Sequence, residues 1–299
     1  MTVSALPRPR PDAAVLAQLI GASRPLSWVN TAYPFGAAYL LSGGGLDVTF
    51  VLGVLYFLVP YNLLMYGVND VFDYESDIRN PRKGGVEGVV LDRRVHRLTL
   101  VLAVAVNVPF VVALILLGDA ASTSVLAISV FAVVAYSAPI LRFKERPFLD
   151  SLTSSTHFVS PACFGLAVAG GAWDAAAVAA LCGFFAWGVG SHAFGAVQDI
   201  EADRGADIAS VATWLGAART VWLSLVAYLL AGAVLLTLDW PASLAAALVL
   251  PYVANVAPYL RLRDADCDRA HAGWRRFLWL NYLTGFLVTQ LLIWLTIGW

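Results

Sequence analysis

The amino-acid sequence predicts an all-α membrane protein with nine transmembrane helices, forming a single domain over residues 1–299. The first reason is composition, because 60% of the residues are hydrophobic and only 13% are charged. A soluble domain is about half apolar and about a quarter charged. The second reason is that apolar windows of about 20 residues, the length that spans a bilayer, recur along the whole chain.

These apolar windows set the order of the predicted spans. Short turns containing Gly or Asp join them in pairs, and longer polar connections separate the pairs. The nine windows are 27–43, 48–68, 97–117, 121–141, 150–170, 174–195, 217–237, 241–260 and 276–297.

The positions of the basic residues predict the orientation of the chain. All 19 Lys and Arg residues lie in the N-terminal segment and the four longer connections. The short turns carry only acidic residues, namely Asp47, Asp119, Asp174 and Asp239. Because Lys and Arg are enriched in cytoplasmic connections, we expect a cytoplasmic N-terminus and an outer C-terminus in the cell (plasma) membrane. An added or missing helix would break this segregation, which favours nine spans.

A first acidic cluster, NDVFDYESD, follows directly after the second span. On a regular helix, Asn69, Asp70, Asp73 and Asp77 would fall within an arc of about 100°. Glu75 would point away from them. The segment therefore predicts a row of oxygen-bearing side chains on one helical face.

A second acidic cluster, QDIEADRGAD, follows the sixth span. Asp199, Asp203 and Asp207 step by four residues and would stay within about 80° of one another on a helix. Glu201 would again lie off that face. Each cluster thus belongs to the cytoplasmic end of an even-numbered span.

Such rows of carboxylates are not expected from helix stability. Like charges four residues apart repel, and a helix C-terminus disfavours negative charge. Solvated acids at a helix end are the alternative reading. Mg²⁺ prefers oxygen ligands and commonly joins one or two carboxylates to phosphate oxygens. The two facing rows therefore predict Mg²⁺ ions and a diphosphate between them.

Basic residues near both clusters are candidate phosphate ligands. Arg142 and Lys144 follow the fourth span, and Arg82 and Lys83 follow the first acidic cluster. Each pair can form charge-assisted hydrogen bonds with phosphate, although orientation alone also explains basic residues here. The segment RKGGVEG lacks the pattern of a nucleotide-binding P-loop. We also expect no nucleic-acid partner.

These motifs together resemble the UbiA superfamily of intramembrane prenyltransferases. NDVFDYESD and DIEAD resemble its first and second Asp-rich motifs. YSAP, followed by Arg142 and Lys144, is similar to the segment after the fourth helix of that family, and SRPLSW resembles its entry to the first helix. The resemblance implies helices around a central cavity that opens to lipid, and Mg²⁺-dependent prenyl transfer at a site facing the cytoplasm.

The same resemblance implies roles for individual residues. In the first motif it points to Asn69, Asp73 and Asp77 as metal ligands, with Asp70 beside them. In the second motif it points to Asp199 and Asp203, whereas Asp207 is a candidate ligand from its spacing alone. We expect Asp73 and Asp203 to be essential for catalysis. The remaining candidates for diphosphate binding are Arg24 in SRPLSW and Ser137 in YSAP.

A narrower resemblance concerns the substrate. SRPLSWVNTAYPFGAAYLL, PYNLLMYGVNDVFDYESD and RNPRKGGVEG together resemble the lycopene elongases, which join C5 prenyl units to the ends of lycopene to make C50 carotenoids. The resemblance implies dimethylallyl diphosphate as donor, lycopene as acceptor and carotenoid cyclase subunits as candidate partners. An acceptor without polar groups requires an apolar and aromatic cavity.

The implied chemistry makes further demands on the chain. Metal ions and basic residues would neutralise the leaving diphosphate, and aromatic rings would face the allylic cation. Tyr136 is the first candidate for that aromatic ring and Tyr66 the second. The sequence leaves open whether the final cation loses a proton or captures water.

Two other functions remain open at this stage. An aromatic prenyltransferase of quinone biosynthesis would share every acidic residue, and Arg24 could bind the carboxylate of its acceptor. A transporter is disfavoured, because transport sites need ionisable residues near the bilayer midplane and the acids here stand at helix ends.

Overall fold

A computed structural model of the chain describes residues 11–78 and 89–297, and in that part of the chain the structure is helical and contains no β-strand. The helices in the first half are α1 (Pro11–Ala22), α2 (Val29–Leu41), α3 (Val48–Leu58), α4 (Pro60–Asn62), α5 (Val68–Phe72), α6 (Tyr74–Asp77), α7 (Arg93–Leu117) and α8 (Ala120–Ser137). The helices in the second half are α9 (Leu149–Val168), α10 (Ala175–Val197), α11 (Ile200–Gly205), α12 (Val211–Leu215), α13 (Ala217–Leu235), α14 (Leu250–Val256) and α15 (Ala270–Ile297).

Short 3₁₀ and π segments complete the chain between these helices. A π-helical turn over Leu63–Gly67 joins α4 to α5. The 3₁₀ segments are Pro25–Ser27, Phe143–Glu145, Ala242–Val249, Ala257–Tyr259 and Asp264–Arg269.

Seven helical segments of the described residues are long and apolar enough to cross a membrane, rather than the nine predicted. They are Val48–Phe72, Arg93–Leu117, Ala120–Ser137, Ala175–Val197, Ala217–Leu235, Ala242–Tyr259 and Asp264–Ile297. The protein is thus a multi-pass membrane protein, whereas nine spans are not confirmed. The first and fifth predicted spans fold as α2 and α9, but α2 has only 13 residues and α9 is too polar. The orientation of the termini stays a prediction.

The polarity of α9 follows from its position inside the bundle. This helix packs against α2, α8 and α10, and most of its side chains are buried. Its polar groups bond to neighbouring helices: the Ser155 hydroxyl donates to the Phe185 carbonyl at 2.7 Å. A Cβ at Gly165 would lie 2.5 Å from the Phe35 carbonyl oxygen, so α9 and α2 are in close contact. Small and hydroxyl residues are typical of such interfaces between membrane helices.

Two aromatic clusters form the core on either side of α9. The first cluster includes Phe35, Tyr56, Phe57, Tyr61 and Phe164, all fully buried. The second cluster joins α10, α13, α14 and α15, and its largest buried members are Phe194, Tyr228 and Tyr252. The acidic segments extend from these two clusters, the first from α3–α5 and the second from α10.

Acidic residues in the short turns cap helices. Asp47, Asp119 and Asp174 accept hydrogen bonds from backbone N–H groups in the first turns of α3, α8 and α10, at 2.9, 2.8 and 2.8 Å. These N–H groups lower the pKa of Asp47 and Asp119. A helix N-terminus has unpaired N–H groups and favours negative charge. N-capping therefore explains three of the four acids in these turns.

Candidate active site

The backbone is irregular just before the first acidic cluster. Pro60 interrupts the second span, and the π-helical turn follows within three residues. Side-chain amides bond to the carbonyls at this break: Asn62 donates to the Phe57 carbonyl at 2.8 Å and Asn107 donates to the Pro60 carbonyl at 2.7 Å. Non-helical backbone inside a membrane is tolerated where neighbouring groups satisfy it, and π turns are frequent at functional sites. The break changes the direction in which the side chains of α5 point, relative to a continuous α-helix.

The first acidic cluster does not form a single helical face, so that part of the prediction is wrong. Asn69 and Asp70 lie on α5, which ends before Asp73. Asp73 has φ −96° and ψ 0°, outside the helical range, and α6 begins after it. Two helices of five and four residues cannot present one continuous row. The side chain of Asp77, on α6, is outside the described part of the structure.

Basic and polar residues after the fourth span contact the first cluster. The Lys144 ammonium forms an ion pair with Asp73 and lies 3.2 Å from the Asn69 Oδ1. The Ser137 hydroxyl donates to the same Asn69 oxygen at 2.9 Å. Arg142 lies 3.7 Å from the Asp73 carboxylate and also pairs with Glu145. The other predicted basic pair, Arg82 and Lys83, lies outside the described residues.

Lys144 is held in a partly dehydrated position. Only 11% of its side chain is exposed. Burial lowers the pKa of the Lys144 ammonium, while the Asp73 carboxylate acts in the opposite direction. Lys144 is therefore a cation whose charge is weakly screened by water at the edge of the acidic cluster.

Arg24 binds the acidic cluster through Asp70. Its Nη2 lies 2.9 Å from the Asp70 Oδ1, and the Asp70 side chain is completely buried. The guanidinium also stacks on the Tyr66 ring, 4.3 Å from the ring centroid. This contact fixes Arg24 against both a carboxylate and an aromatic face.

Two arginines at the first cluster have an unusual backbone. Arg24 and Arg142 both adopt left-handed conformations, with φ 50° and φ 40°. For residues with a Cβ such conformations cost roughly 1–3 kcal/mol and cluster at functional sites. Here the side chains of both arginines are directed at Asp70 or Asp73. The ion pairs help to hold this strained backbone in place.

Glu75 points away from this group of residues, in agreement with the prediction. It forms an ion pair with Arg93 at the start of α7, and both side chains are about two-thirds exposed. The Arg93 guanidinium also lies 4.9 Å from the Tyr74 ring centroid. Glu75 thus anchors α6 to α7.

The second acidic cluster is likewise broken, and the predicted face of three aspartates is wrong. Helix α10 ends at Val197, and Asp199 lies in the turn before α11. Asp203 lies within α11, but Asp207 lies beyond the helix end in a left-handed conformation with φ 55°. The chain turns there because the N–H of Ile208 bonds back to the Asp203 carbonyl at 2.9 Å, a helix-ending pattern. Asp207 is exposed, whereas Asp199 and Asp203 are half-buried.

Asp264 braces the second cluster, and sequence reasoning missed it. Its carboxylate accepts from Arg204 on α11 at 2.7 Å and from the Ala217 backbone N–H at 2.7 Å. These two contacts, the Ala217 N–H first, lower the pKa of Asp264. Arg204 also donates to the Thr213 carbonyl at 2.9 Å. No local pattern marks Asp264, because its partners are distant in sequence.

Tyr136 lies between two histidines on neighbouring helices. Its hydroxyl is 3.1 Å from the His192 Nε2, and the His192 Nδ1 is 3.0 Å from the Ser151 hydroxyl. The His157 ring packs against Tyr136 edge to face, with centroids 5.0 Å apart. Neither histidine is among the site residues predicted from the sequence. Their common signal was a titratable side chain within an apolar span.

The chemistry of the acidic side chains allows a test of whether Mg²⁺ fits. The candidate ligands are all oxygen donors: the Asn69 amide and the carboxylates of Asp73, Asp199 and Asp203. Oxygen-only donor sets suit Mg²⁺ rather than softer metals. Within residues 11–78 and 89–297, no three His, Cys, Asp or Glu side chains form a complete metal cage. The donors therefore fit an Mg²⁺ ion that shares its coordination with phosphate oxygens and water.

Comparison with known families gives a match over most of the chain. Residues 31–283 match the family model described as the UbiA prenyltransferase family. The matched range includes both acidic clusters, Tyr136 and Lys144, and it begins after Arg24.

Two curated relatives are much more than 30% identical to this chain. One is the "C(50) beta-cyclic carotenoids biosynthesis protein LbtBC" of Dietzia sp. (strain CQ4), 56% identical over 286 residues. That match covers 95% of this chain but only 66% of the relative. The other is a "Lycopene elongase/hydratase" of Corynebacterium glutamicum, 54% identical over 271 residues, covering 91% of this chain and 94% of the relative.

A solved structure supports the fold. The structure of a UbiA homolog from Archaeoglobus fulgidus bound to DMAPP and Mg²⁺ aligns with a TM-score of 0.65 at 16% sequence identity. The alignment covers 89% of this chain and 98% of the homolog. At this identity, the similarity establishes the helical fold.

Proposed function

The chain belongs to the UbiA prenyltransferase family, and we propose that this prenyltransferase transfers a dimethylallyl group to lycopene in C50 carotenoid biosynthesis. The observation that carries the proposal is the 54% identity, over nearly the full length of both chains, with a protein named lycopene elongase/hydratase. The donor is proposed because the solved homolog was bound to DMAPP and Mg²⁺.

The proposed metal ligands are Asn69, Asp73 and Asp77 of the first cluster and Asp199 and Asp203 of the second. When bound, Mg²⁺ would offset the negative charge of the diphosphate and so make it a better leaving group. Asp207 is left out of this set because it is exposed and lies beyond the end of α11.

Asp70 is proposed to position Arg24 rather than to bind metal. Its side chain is fully buried against the Arg24 guanidinium. The guanidinium keeps a partly exposed edge, with 19% of the side chain accessible. Arg24 would then bring a fixed positive charge to the diphosphate, as Arg142 and Lys144 would from their contacts with Asp73.

The cationic side chains would act on the leaving group during ionisation. Lys144 lies between Asn69 and Asp73, where it neutralises the carboxylate before a substrate arrives. The Lys144 ammonium would also donate charge-assisted hydrogen bonds to diphosphate oxygens. The weak screening at this position strengthens its attraction for charge that develops on the leaving group.

The allylic cation would be faced by Tyr136. This residue directly precedes Ser137, whose hydroxyl contacts Asn69. Tyr66 is the weaker candidate because one face of its ring is covered by Arg24. An aromatic ring stabilises a nearby cation through its negative face.

The quinone-type alternative lacks the support that it would need. Its aromatic acceptor requires a cation for the acceptor carboxylate, and Arg24 was the candidate for that role. In the arrangement proposed above, Arg24 serves the diphosphate and is not left for an acceptor carboxylate. Lycopene has no charged group, so it imposes no such requirement. In the proposed arrangement the diphosphate arrives from the cytoplasm and the acceptor from the bilayer of the plasma membrane.

Expression in a bacterial host that accumulates lycopene tests this function. Pigment extracts should contain C45 and C50 carotenoids when the chain is produced, and neither when Asp73→Asn is produced at the same level in the membrane. Lycopene left unchanged by correctly inserted protein would overturn the lycopene acceptor. Purified protein supplied with dimethylallyl diphosphate and lycopene should lose turnover with EDTA and regain it with Mg²⁺.

A further inference from the structure

Three helices meet in a chain of hydrogen-bonding groups, of which the proposed function uses only the Tyr136 ring. Tyr136 on α8 contacts His192 on α10 at 3.1 Å, and His192 contacts Ser151 on α9 at 3.0 Å. Tyr136 and His192 are half-buried, and Ser151 is fully buried. This chain links three helices to Tyr136, which directly precedes Ser137, a residue that bonds to Asn69 of the acidic cluster.

A buried carboxylate lies behind this chain. Asp150 is 1% exposed and accepts hydrogen bonds from the backbone N–H groups of Ser151 and Val211, each at 2.7 Å. Among the ion pairs of the described residues, none includes Asp150. Asp150 directly precedes Ser151, whose hydroxyl is 3.0 Å from the His192 Nδ1. An unbalanced buried carboxylate stabilises positive charge that develops on a nearby imidazole.

Prenyl transfer to an alkene produces a proton that must be removed. The allylic C–O bond breaks and its electron pair leaves with the diphosphate. The acceptor double bond then forms a C–C bond to the allylic carbon and leaves a tertiary cation. That cation either loses an adjacent C–H proton, whose bonding electrons form a new C=C bond, or bonds to a water oxygen, which loses a proton. Each route releases one proton within the apolar part of the site.

We propose that Tyr136 and His192 form the relay that accepts this proton. The Tyr136 Oη takes the proton as its own hydroxyl proton passes to the His192 Nε2. The resulting imidazolium is stabilised by Asp150, and its Nδ1–H donates to the Ser151 hydroxyl. Transfer of the proton to water after product release restores the neutral pair. This inference rests on the proposed prenyl transfer and assigns its last step.

The position of Tyr136 supports both of its roles. The allylic cation forms next to the diphosphate, and the cation on the acceptor forms two carbon atoms further on. Tyr136 adjoins the residue that bonds to Asn69, and the His157 edge fixes the plane of its ring. The ring can therefore face the first cation while the hydroxyl accepts a proton from the second. These two roles can be separated, because Phe keeps the ring and removes the hydroxyl.

The test uses the purified full-length protein with dimethylallyl diphosphate, Mg²⁺ and lycopene. The variants are Tyr136→Phe, His192→Gln and the double variant. The matched control is Tyr228→Phe, which removes another buried tyrosine hydroxyl, bonded to Ser191 of α10 at 3.2 Å. Diphosphate release measures ionisation and transfer, and chromatography of the products measures how the cation ends.

His192→Gln should keep diphosphate release within about threefold of the parent protein, and for both single variants the end groups are counted per diphosphate released. The parent protein makes one main end group, and the measured quantity is the ratio of this end group to all other alkene and alcohol end groups. In Tyr136→Phe and in His192→Gln this ratio should fall by at least about tenfold, because other groups then accept the proton. The double variant should match the single variants, because the two residues act in series. Tyr228→Phe should leave the end-group ratio unchanged.

Unchanged end groups in Tyr136→Phe or in His192→Gln would overturn the relay. A double variant whose effect is the product of the single effects would also overturn it, as would an equal change in Tyr228→Phe. Loss of all elongated product in the parent protein is a different outcome, which overturns the proposed function. Diphosphate release by each variant shows that the changed end groups do not come from unfolded protein.

Discussion

The two acidic clusters have similar sequences but different surroundings. The first is surrounded by basic side chains that contact it directly, and Asp70 within it is completely buried. The second lies on the short helix α11, where the brace between Arg204 and Asp264 is about 40–45% exposed. Water screens exposed charges strongly and buried charges weakly. An ion pair of the same residue types therefore contributes a different interaction free energy in the two clusters. The first cluster contains a buried ion pair, whereas the ion pair between Arg204 and Asp264 beside the second cluster is exposed.

The largest expected effect removes one carboxylate from each cluster. Asp73→Ala and Asp203→Ala should each lower prenyl transfer by more than about 10³-fold, because a ligand of the proposed metal–diphosphate site is lost. Glu75→Ala and Glu201→Ala are the matched controls and should keep most of the activity. Product formation in membranes of equal protein content measures this. Equal losses in all four variants would remove the distinction between acids that face the site and acids that do not.

The second prediction separates the two clusters by stability. Arg24→Ala should lower the free energy of unfolding by about 3–5 kcal/mol, because it removes the guanidinium that pairs with the buried Asp70. Arg204→Ala, in the second cluster, should lower it by about 1 kcal/mol or less, since its ion pair is exposed. Thermal unfolding in detergent, followed by circular dichroism, compares the two variants. Similar shifts in Tm for the two variants would show that the buried ion pair contributes no more to stability than the exposed one.

The third prediction concerns the cation at the first cluster. Lys144→Met keeps most of the side-chain length and removes the charge that faces Asp73 and Asn69. The KM for dimethylallyl diphosphate should rise and kcat should fall, together about 10²–10³-fold in kcat/KM. Arg263→Met is the control, because Arg263 is an exposed residue with a partner only in its own loop. A normal kcat/KM for Lys144→Met would contradict a role for Lys144 in diphosphate binding.

The smallest expected effect is a pH dependence of the second cluster. The Ala217 N–H and Arg204 hold the pKa of Asp264 below its usual value of 3.8. The stabilisation from this carboxylate is therefore present above pH 3.8 and is lost as the pH falls through the lowered pKa. Hydrogen exchange of the Ala217 amide should accelerate in this acidic range beyond the intrinsic pH effect. Asp264→Asn should show the faster exchange already at neutral pH.

Local sequence patterns were enough to predict the helical class and the two acidic clusters. Hydrophobic periodicity and segment length depend on neighbouring residues, so most helices lie close to their predicted positions. The nine predicted spans are not confirmed, because among the described residues α2 is short and α9 is polar. Hydropathy measures the preference of a segment for lipid, and it does not show whether a helix faces lipid or other helices.

The details of the site needed the tertiary structure. Regular helix geometry placed Asp73 and Asp77, and Asp199 and Asp207, on common faces, but the chain breaks at Asp73 and again after Val197. These breaks are held by hydrogen bonds and ion pairs with distant residues, such as Lys144 for Asp73. A helical projection contains no information about such partners.

The sequence by itself determined which chemical groups this protein has: a membrane-embedded helical chain, two groups of carboxylates, and basic residues near the first. Only the tertiary structure decided how those groups are combined. It joined Arg24 to Asp70, Lys144 to Asp73 and Asp264 to Arg204, and it placed Tyr136 against His192. The physical reason is that composition and helix formation depend on residues close together in the chain. Burial, ion pairing and proton relays depend on residues brought together from distant parts of the sequence.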